Sequence, residues 1–561
     1  RSRSKANDFP LNNSNTYSLK FIKTLVFLLF VSFGVRSVSA QEPRIVEIRQ
    51  AGSFAKDEAQ YPGANILLKK GSTRVHLFHK GALIKSDKSF FYSKKNFFDA
   101  AGAVVFTQGD TLRMTSDFLE YDGANGQAKA WGNVFLKQPD MSLETDTLYL
   151  DRNENIAYYD TPGTVIDSSS TLKSNRGKYF MNEKKYRFIS NVRITNPEYN
   201  VTSAQLDYFT ESNKAYLYGP TKIIGSDYDI YCERGYYNLD AQRGNFNQNA
   251  LINYNQKIIE GDSLYFENER EYAAATDDVS ITDTINNSII RGNYAEIFKA
   301  KDSAIITRRA YAINLLENDS LYIKADTLIG TGPPEHRILR GYYNVKILKS
   351  DIRGKSDSLY LDNQIGKIEL HKQPLTKKED QILSDDEKNA RNPVLWFGAS
   401  QMSGEVIHLL TEPGEKKLDS LQIFGNAFII EQDSISVDGF NQIAGSELYG
   451  DFEEGALKNL DVIKNTMVIY YLYSDTGELI GINKTICSAL DIVFFNNEIN
   501  EISFYVSPDG EVFPEEKIDQ NLRKLDGFLW RVDERPDTFE DLFLIENVER
   551  KKVPEVSISK E

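Results

Sequence analysis

A period of 29 residues, repeated without insertion, constrains this chain more than any other feature. Segments that start at Asp117, Asp146, Asn175, Ala204, Glu233 and Asp262 follow one another at equal steps. Self-similarity at such a period marks a repeat architecture rather than a compact enzyme fold. The columns agree in chemistry. The third position holds Leu119, Leu148, Gly177, Leu206, Gly235 and Leu264, and the fifth holds Tyr121, Leu150, Tyr179, Tyr208, Tyr237 and Phe266. The next strand brings Ala128, Ala157, Tyr186, Ala215, Gly244 and Ala273, and a later one Leu136, Val165, Ile194, Ile223, Ile252 and Ile281. Matching positions within a strand lie two residues apart, which places them on one face. Each unit is therefore expected to be three or four short strands with one apolar and one polar face. One unit cannot bury its apolar face alone. Units must stack, with like columns about 4.8 Å apart over a continuous interior. Helical spacing fits none of these columns. The fold class is all-β, an elongated stack of repeated rungs.

The composition agrees. The chain carries 31 Tyr and 32 Phe, and such aromatic richness favours strands. At the N-terminus Arg1, Arg3, Lys5, Lys20 and Lys23 precede an apolar run from Leu25 to Val35, then Ser37-Val38-Ser39-Ala40. This pattern predicts a signal peptide over 1–40. Its apolar run is too short to span a bilayer comfortably, and an uncleaved anchor is the alternative. Without residues 1–40 the chain has 60 basic and 80 acidic residues, a net charge of −20. Such an acidic surface repels phosphate backbones, so nucleic acid is not expected as a partner. The further organisation reads as a linker over 41–60, repeats over 61–290, and longer repeats with insertions over 291–510. The clearest insertion is a charged loop at 372–392. Residues 511–561 read as a cap and polar tail, in which Leu525 to Trp530 and Arg535-Pro536 would close the open end of the stack.

No constellation for catalysis emerges. Cys232 and Cys487 are too few and too distant for a disulfide framework. Cys232 shares a column with Thr145, Ser174, Ser203 and Gly261 and reads as a small residue in a tight place. His76 and His79 differ by an odd number, so on one strand they face opposite sides, which is poor metal geometry. The periodic Asp117, Asp146 and Asp262 read as turn and strand-start residues. No nucleophile elbow, P-loop or zinc helix is present. No catalytic residue, metal site or cofactor is expected.

Three kinds of segment resemble the OstA-like family. One runs from Gly81-Ala82-Leu83-Ile84 through Phe98-Asp99-Ala100-Ala101-Gly102-Ala103-Val104 to Gln108-Gly109-Asp110-Thr111-Leu112. Another is the strand of the type Ser116 to Tyr121 and Thr145 to Tyr149. The third is the small-then-valine strand of Gly132-Asn133-Val134 and Asn191-Val192. The likeness covers roughly residues 60–510. That family includes the periplasmic lipopolysaccharide-transport protein and the periplasmic domain of the outer-membrane lipopolysaccharide assembly protein. The chain looks most like long OstA-like proteins of the Bacteroidetes type.

The resemblance implies an open β-jellyroll whose V-shaped interior holds lipid acyl chains. It implies a non-enzymatic periplasmic bridge for lipopolysaccharide, possessing edge strands for other transport components or for end-to-end self-association, and associated with the outer membrane. The candidate groove-lining residues are Tyr121, Leu136, Tyr179, Ile194, Tyr208, Ile223, Tyr237 and Ile252. Read from the residues alone, the same columns also fit a closed core. A structural or adhesive cell-surface β-solenoid is the alternative function, and a polysaccharide-active β-helix enzyme a third.

Overall fold

The structure is a computed structural model that describes residues 45–544, apart from positions 111, 140, 168–169, 198, 210, 213, 227, 239–240, 242, 255, 268, 316–318, 334, 412–417, 437, 454 and 496–497. The expected signal peptide lies outside the described residues. The described chain is nearly all antiparallel strand. It divides into two compact units, one of residues up to 255 with 261–270, the other of 256–260 with residues from 271 onward.

In the first unit the chain meanders. Strands Leu112–Asp122, Gln127–Lys137 and Met141–Asp151 each pair antiparallel with the next. The same holds from Lys185–Thr195 through Asn200–Phe209, Lys214–Ile224 and Tyr228–Asn238 to Arg243–Tyr254. The 29-residue period is thus a hairpin of two long strands and two short turns. Like positions recur on every second strand, about 10 Å apart. The intervening strand supplies the residue between them, as in the register Ile194, Val201, Ile223, Ile230, Ile252. Within 41–60, expected as a linker, the chain already forms strands Glu47–Gln50 and Ser53–Ala55.

Every long strand bends midway, and two devices bend it. Alternate strands carry a bulge of residues at positive φ, at Gly132-Asn133, Ser190-Asn191 and Gln248-Asn249. Glycine and asparagine tolerate this left-handed conformation best. A side chain on the neighbouring strand holds the bulge: Asn133 Nδ2 donates to Asp117 Oδ2 at 2.8 Å, and Asn249 Nδ2 to Glu233 Oε1 at 2.9 Å. Asp117, Asp146 and Asp262 therefore sit in mid-strand, not at turns or strand starts. The other strands bend at a small buried hydroxyl. Ser116, Ser174 and Ser203 each donate to the carbonyl two residues ahead, at 2.9, 3.0 and 2.9 Å. Cys232 occupies this column, fully buried, and burial pushes its thiol up to about 12. Because all bends fall at one level, each strand contributes half its length to one arm and half to the other. The two arms face each other through their apolar sides.

The second unit repeats the bent meander with longer strands, up to Ala456–Tyr473 and Leu479–Phe495. The charged insertion at 372–392 contains two short helices, Lys377–Ile382 and Asp385–Ala390. Each begins with a capping box, Thr376 with Glu379 and Ser384 with Glu387, which satisfies its first backbone donors.

The C-terminal segment runs back along this unit as a strap instead of covering its last strand. Successive contacts reach Gln442, then Gln401, then Lys355, then Lys346. Register assigns the covered face. The inner column of this unit passes through Ile281, Ile290, Ala312, Ile323 and Ile347 to Ile429, Ile443 and Val468. The strap residues meet Phe428, Ile430, Ile469 and Ile482, displaced by one or three positions from that column. Strand alternation places them on the outer face. Two buried glutamines dock the strap like a backbone edge. Gln442 donates to Arg523 O at 2.8 Å and accepts from Leu525 N at 2.9 Å; Gln401 donates to Leu529 O and accepts from Arg531 N, both at 2.7 Å.

Two outcomes test this reading. Ser203→Val should lower the chemical unfolding midpoint by an equivalent of about 1–3 kcal/mol, because it strands buried partners. Ser203→Cys, which copies position 232, should cost less. Gln442→Leu should make the strap cleave faster at Arg523 and Lys524 in limited tryptic digestion while the sheet spectrum persists.

Candidate functional site

The facing arms of the first unit enclose an open apolar cavity of about 1350 Å³. That exceeds the roughly 300–1,000 Å³ of an ordinary small-molecule pocket. Two columns form most of its wall. On one arm the register runs Tyr121, Ala128, Leu150, Ala157, Tyr179, Tyr186, Tyr208, Ala215, Tyr237. Large rings alternate with alanines over much of it, so space remains between rings. On the other arm Leu136, Leu143, Val165, Leu172, Ile194, Val201, Ile223 and Ile230 follow one another.

Seven of the eight residues singled out from the sequence line this cavity: Tyr121, Leu136, Tyr179, Ile194, Tyr208, Ile223 and Tyr237. Ile252 is buried beside Ile230 and lies outside the wall. The sequence reading missed the intervening-strand residues, such as Leu143 and Tyr186, because it took like columns to be direct neighbours. It also missed the polar groups at the rim.

These two columns carry no charged residue. Burial raises the hydroxyl pKa of Tyr179 and Tyr237, and of Tyr186 most of all, with neighbouring tyrosines adding to the shift at Tyr186 and Tyr237. Tyr179 and Tyr186 stack with ring centroids 4.3 Å apart. The Tyr186 hydroxyl is sealed from water and has no hydrogen-bond partner. Near one end, His79 Nδ1 and the Tyr121 hydroxyl lie 2.7 Å apart, and Arg152 donates to the same hydroxyl at 3.4 Å. Lys80, Arg152 and Lys178 also line the cavity, and no Asp or Glu does among the described residues. In a chain of net charge −15 that bias is chemically specific. Among the described residues no group of His, Cys, Asp or Glu could hold a metal ion, and no helix is long and apolar enough to cross a membrane.

These features define a class: a bent antiparallel β-meander whose two arms enclose an apolar groove. Residues 44–204 match the family of OstA-like proteins. Among solved structures, the chain aligns with LptH from Pseudomonas aeruginosa, described as the LptA homologous periplasmic component of its conserved lipopolysaccharide transport device. That alignment has 17% identity, covers 24% of this chain and 82% of that chain, and has a TM-score of 0.14. No curated protein sequence matches the chain.

The groove wall makes a packing prediction. A Cβ on Gly177 would fall 2.4 Å from the Tyr159 ring, whose hydroxyl is fixed to Ser174 at 2.8 Å. Gly177→Ala should therefore destabilise the first unit by about 1–3 kcal/mol, as overpacking does. Adding Tyr159→Leu should restore most of the loss in a urea titration.

Proposed function

We propose that the first unit is a non-enzymatic carrier of lipopolysaccharide, holding acyl chains in its groove as part of a periplasmic path toward outer-membrane assembly. The open apolar cavity carries this reading. Each buried methylene contributes about 0.8 kcal/mol, so chains are held along the groove without polar contacts. A periodic wall offers similar surroundings at each hairpin, which suits a ligand that slides. The three rim cations and the missing carboxylates favour an amphiphile with an anionic headgroup, since charge-assisted hydrogen bonds to phosphate are strong. The OstA-like match over 44–204 supports lipopolysaccharide as that amphiphile. Other transport components would join through edge strands, which also offer a route to end-to-end self-association. No nucleotide site supplies energy in this reading, so a partner must.

Position 208 lies on the groove wall, whereas Lys222 is exposed and ion-paired with Asp229 at 3.6 Å. A photo-crosslinker placed in cells at 208 should yield a lipopolysaccharide adduct, and one at 222 should not. Ile223→Asp should weaken lipopolysaccharide binding at least about tenfold, since a buried unpaired charge opposes the acyl chain, while the β spectrum persists. An expressed, folded protein without an adduct from 208 would leave a dry core and favour the structural or adhesive alternative.

A further inference from the structure

In the second unit a void of about 90 Å³ lies between the arms, lined by Ile281, Ile290, Ala312 and Ile323 together with four charged residues, Lys257, Asp283, Asp302 and Arg337. Those four do not belong to one arm. The strand Ser288–Phe298 pairs through residues 294–298 with Ser303–Thr307 and through 288–291 with Tyr311–Leu315, which separates the arms. Asp283 ends the strand whose last residues pair with 288–292, and the backbone of Thr284 donates to Gln256 at 3.1 Å. Lys257 and Asp283 thus stand at the tip of one arm. Asp302 immediately precedes Ser303–Thr307, and Arg337 immediately precedes Ile338–Leu348, whose first half pairs with the same arm. Asp302 and Arg337 stand at the opposite tip.

Two ion pairs span the gap, and a third joins Asp302 to Arg337 within one tip. Lys257 Nζ lies 2.6 Å from Asp302 Oδ1, Arg337 Nε lies 3.2 Å from Asp283 Oδ2, and Arg337 Nη1 lies 2.8 Å from Asp302 Oδ2. All four side chains are largely buried, between 12% and 28% exposed. Buried ion pairs lose in desolvation most of what they gain in attraction, so they hold a geometry without strongly favouring it. Two details make this network able to exchange partners. Arg337 Nη2 is buried and has no hydrogen-bond partner. Asp283 also accepts from the backbone of Ile285 and Asn286 and from the Asn286 amide, each at 3.0 Å, so it stays satisfied when Arg337 leaves.

We infer that Lys257, Asp283, Asp302 and Arg337 form a latch across the mouth of a second acyl-chain compartment, opened by an anionic amphiphile. Its phosphate would replace the carboxylates on Lys257 and Arg337, and its chain would enter between the parted arms. This rests on the carrier reading of the first unit for the class of ligand, and on the ion network for the site. One phosphate takes the place of two carboxylates: Asp283 keeps its Ile285 and Asn286 donors, and Asp302, parted from both cations, turns to the water that the opened mouth admits.

The test uses the full chain with a photo-crosslinker at Ser288, which lines the void, and a second version with it at 208. The probes are dodecyl phosphate and uncharged dodecyl maltoside. Position 288 should react with the phosphate at least about tenfold more than with the maltoside, as a charge-assisted contact demands. Asp283→Asn with Asp302→Asn should raise the phosphate adduct several-fold, and Lys257→Met with Arg337→Met should abolish the preference. Equal adducts from both probes at 288, or none from either, would overturn the latch. The unsubstituted protein decides this alone if the charge variants fail to fold. An adduct at 208 with silence at 288 sinks the latch and spares the carrier. Silence at 208 with a phosphate-selective adduct at 288 sinks the carrier reading of the first unit and keeps the latch.

Discussion

Alignment of the strand bends is the constraint on which the rest of the first unit depends. A straight antiparallel meander would be an open sheet with one apolar face exposed along its whole length. Bending every strand at one level folds that face onto itself. The bend is built from small chemistry repeated many times: a left-handed residue pair on one strand, a buried hydroxyl with a carbonyl two residues ahead on the next. Neither device is costly alone, but a straight strand among bent ones would lose both its ladder and its apolar partners. The column near the tip of one arm leaves room for the cavity, because alanines such as Ala128, Ala157 and Ala215 stand between its large side chains.

Much of this was legible in the sequence. The period and the two-residue spacing of Leu119 with Tyr121 identified β structure and the inner face, and seven chosen positions do line the cavity. The resemblance supplied the open V, which the columns alone could not distinguish from a closed core. What escaped was of two physical kinds. A period of 29 is equally consistent with one parallel rung and with one hairpin, and only pairing register separates them. Polar residues at strand tips, such as Arg152 and Arg337, carry no periodic signal, because their roles depend on which tips meet across the interior. The strap escaped for a similar reason, although Ala427-Phe428-Ile429-Ile430 is apolar on both faces and so called for a cover on each.

The two units show how one backbone pattern supports different interiors. In the first, uncharged wall columns and a cationic rim leave room for a guest. In the second, charges of both signs meet at the tips beside a small void lined by aliphatic residues. The difference lies in a handful of tip residues rather than in the strands. Outer faces differ as well: the second unit buries Trp396, Gln401 and Gln442 on a side that a simple meander would give to solvent.

The strap also bears on the order in which the molecule can be made. Sheet contacts join strands that are next to or near one another in the chain, so strands can add progressively as they emerge, with modest loop closure at each step. Strap contacts such as Gln442–Arg523 and Lys346–Asp541 instead join residues 81 and 195 positions apart. They form only once the final residues are present, and only over a sheet already in correct register. A slip of one residue would turn Gln401 and Gln442 inward and leave the strap nothing to read. Closure of the strap thereby depends on register, and a sheet that the strap cannot dock on keeps Phe428, Ile430, Ile469 and Ile482 uncovered.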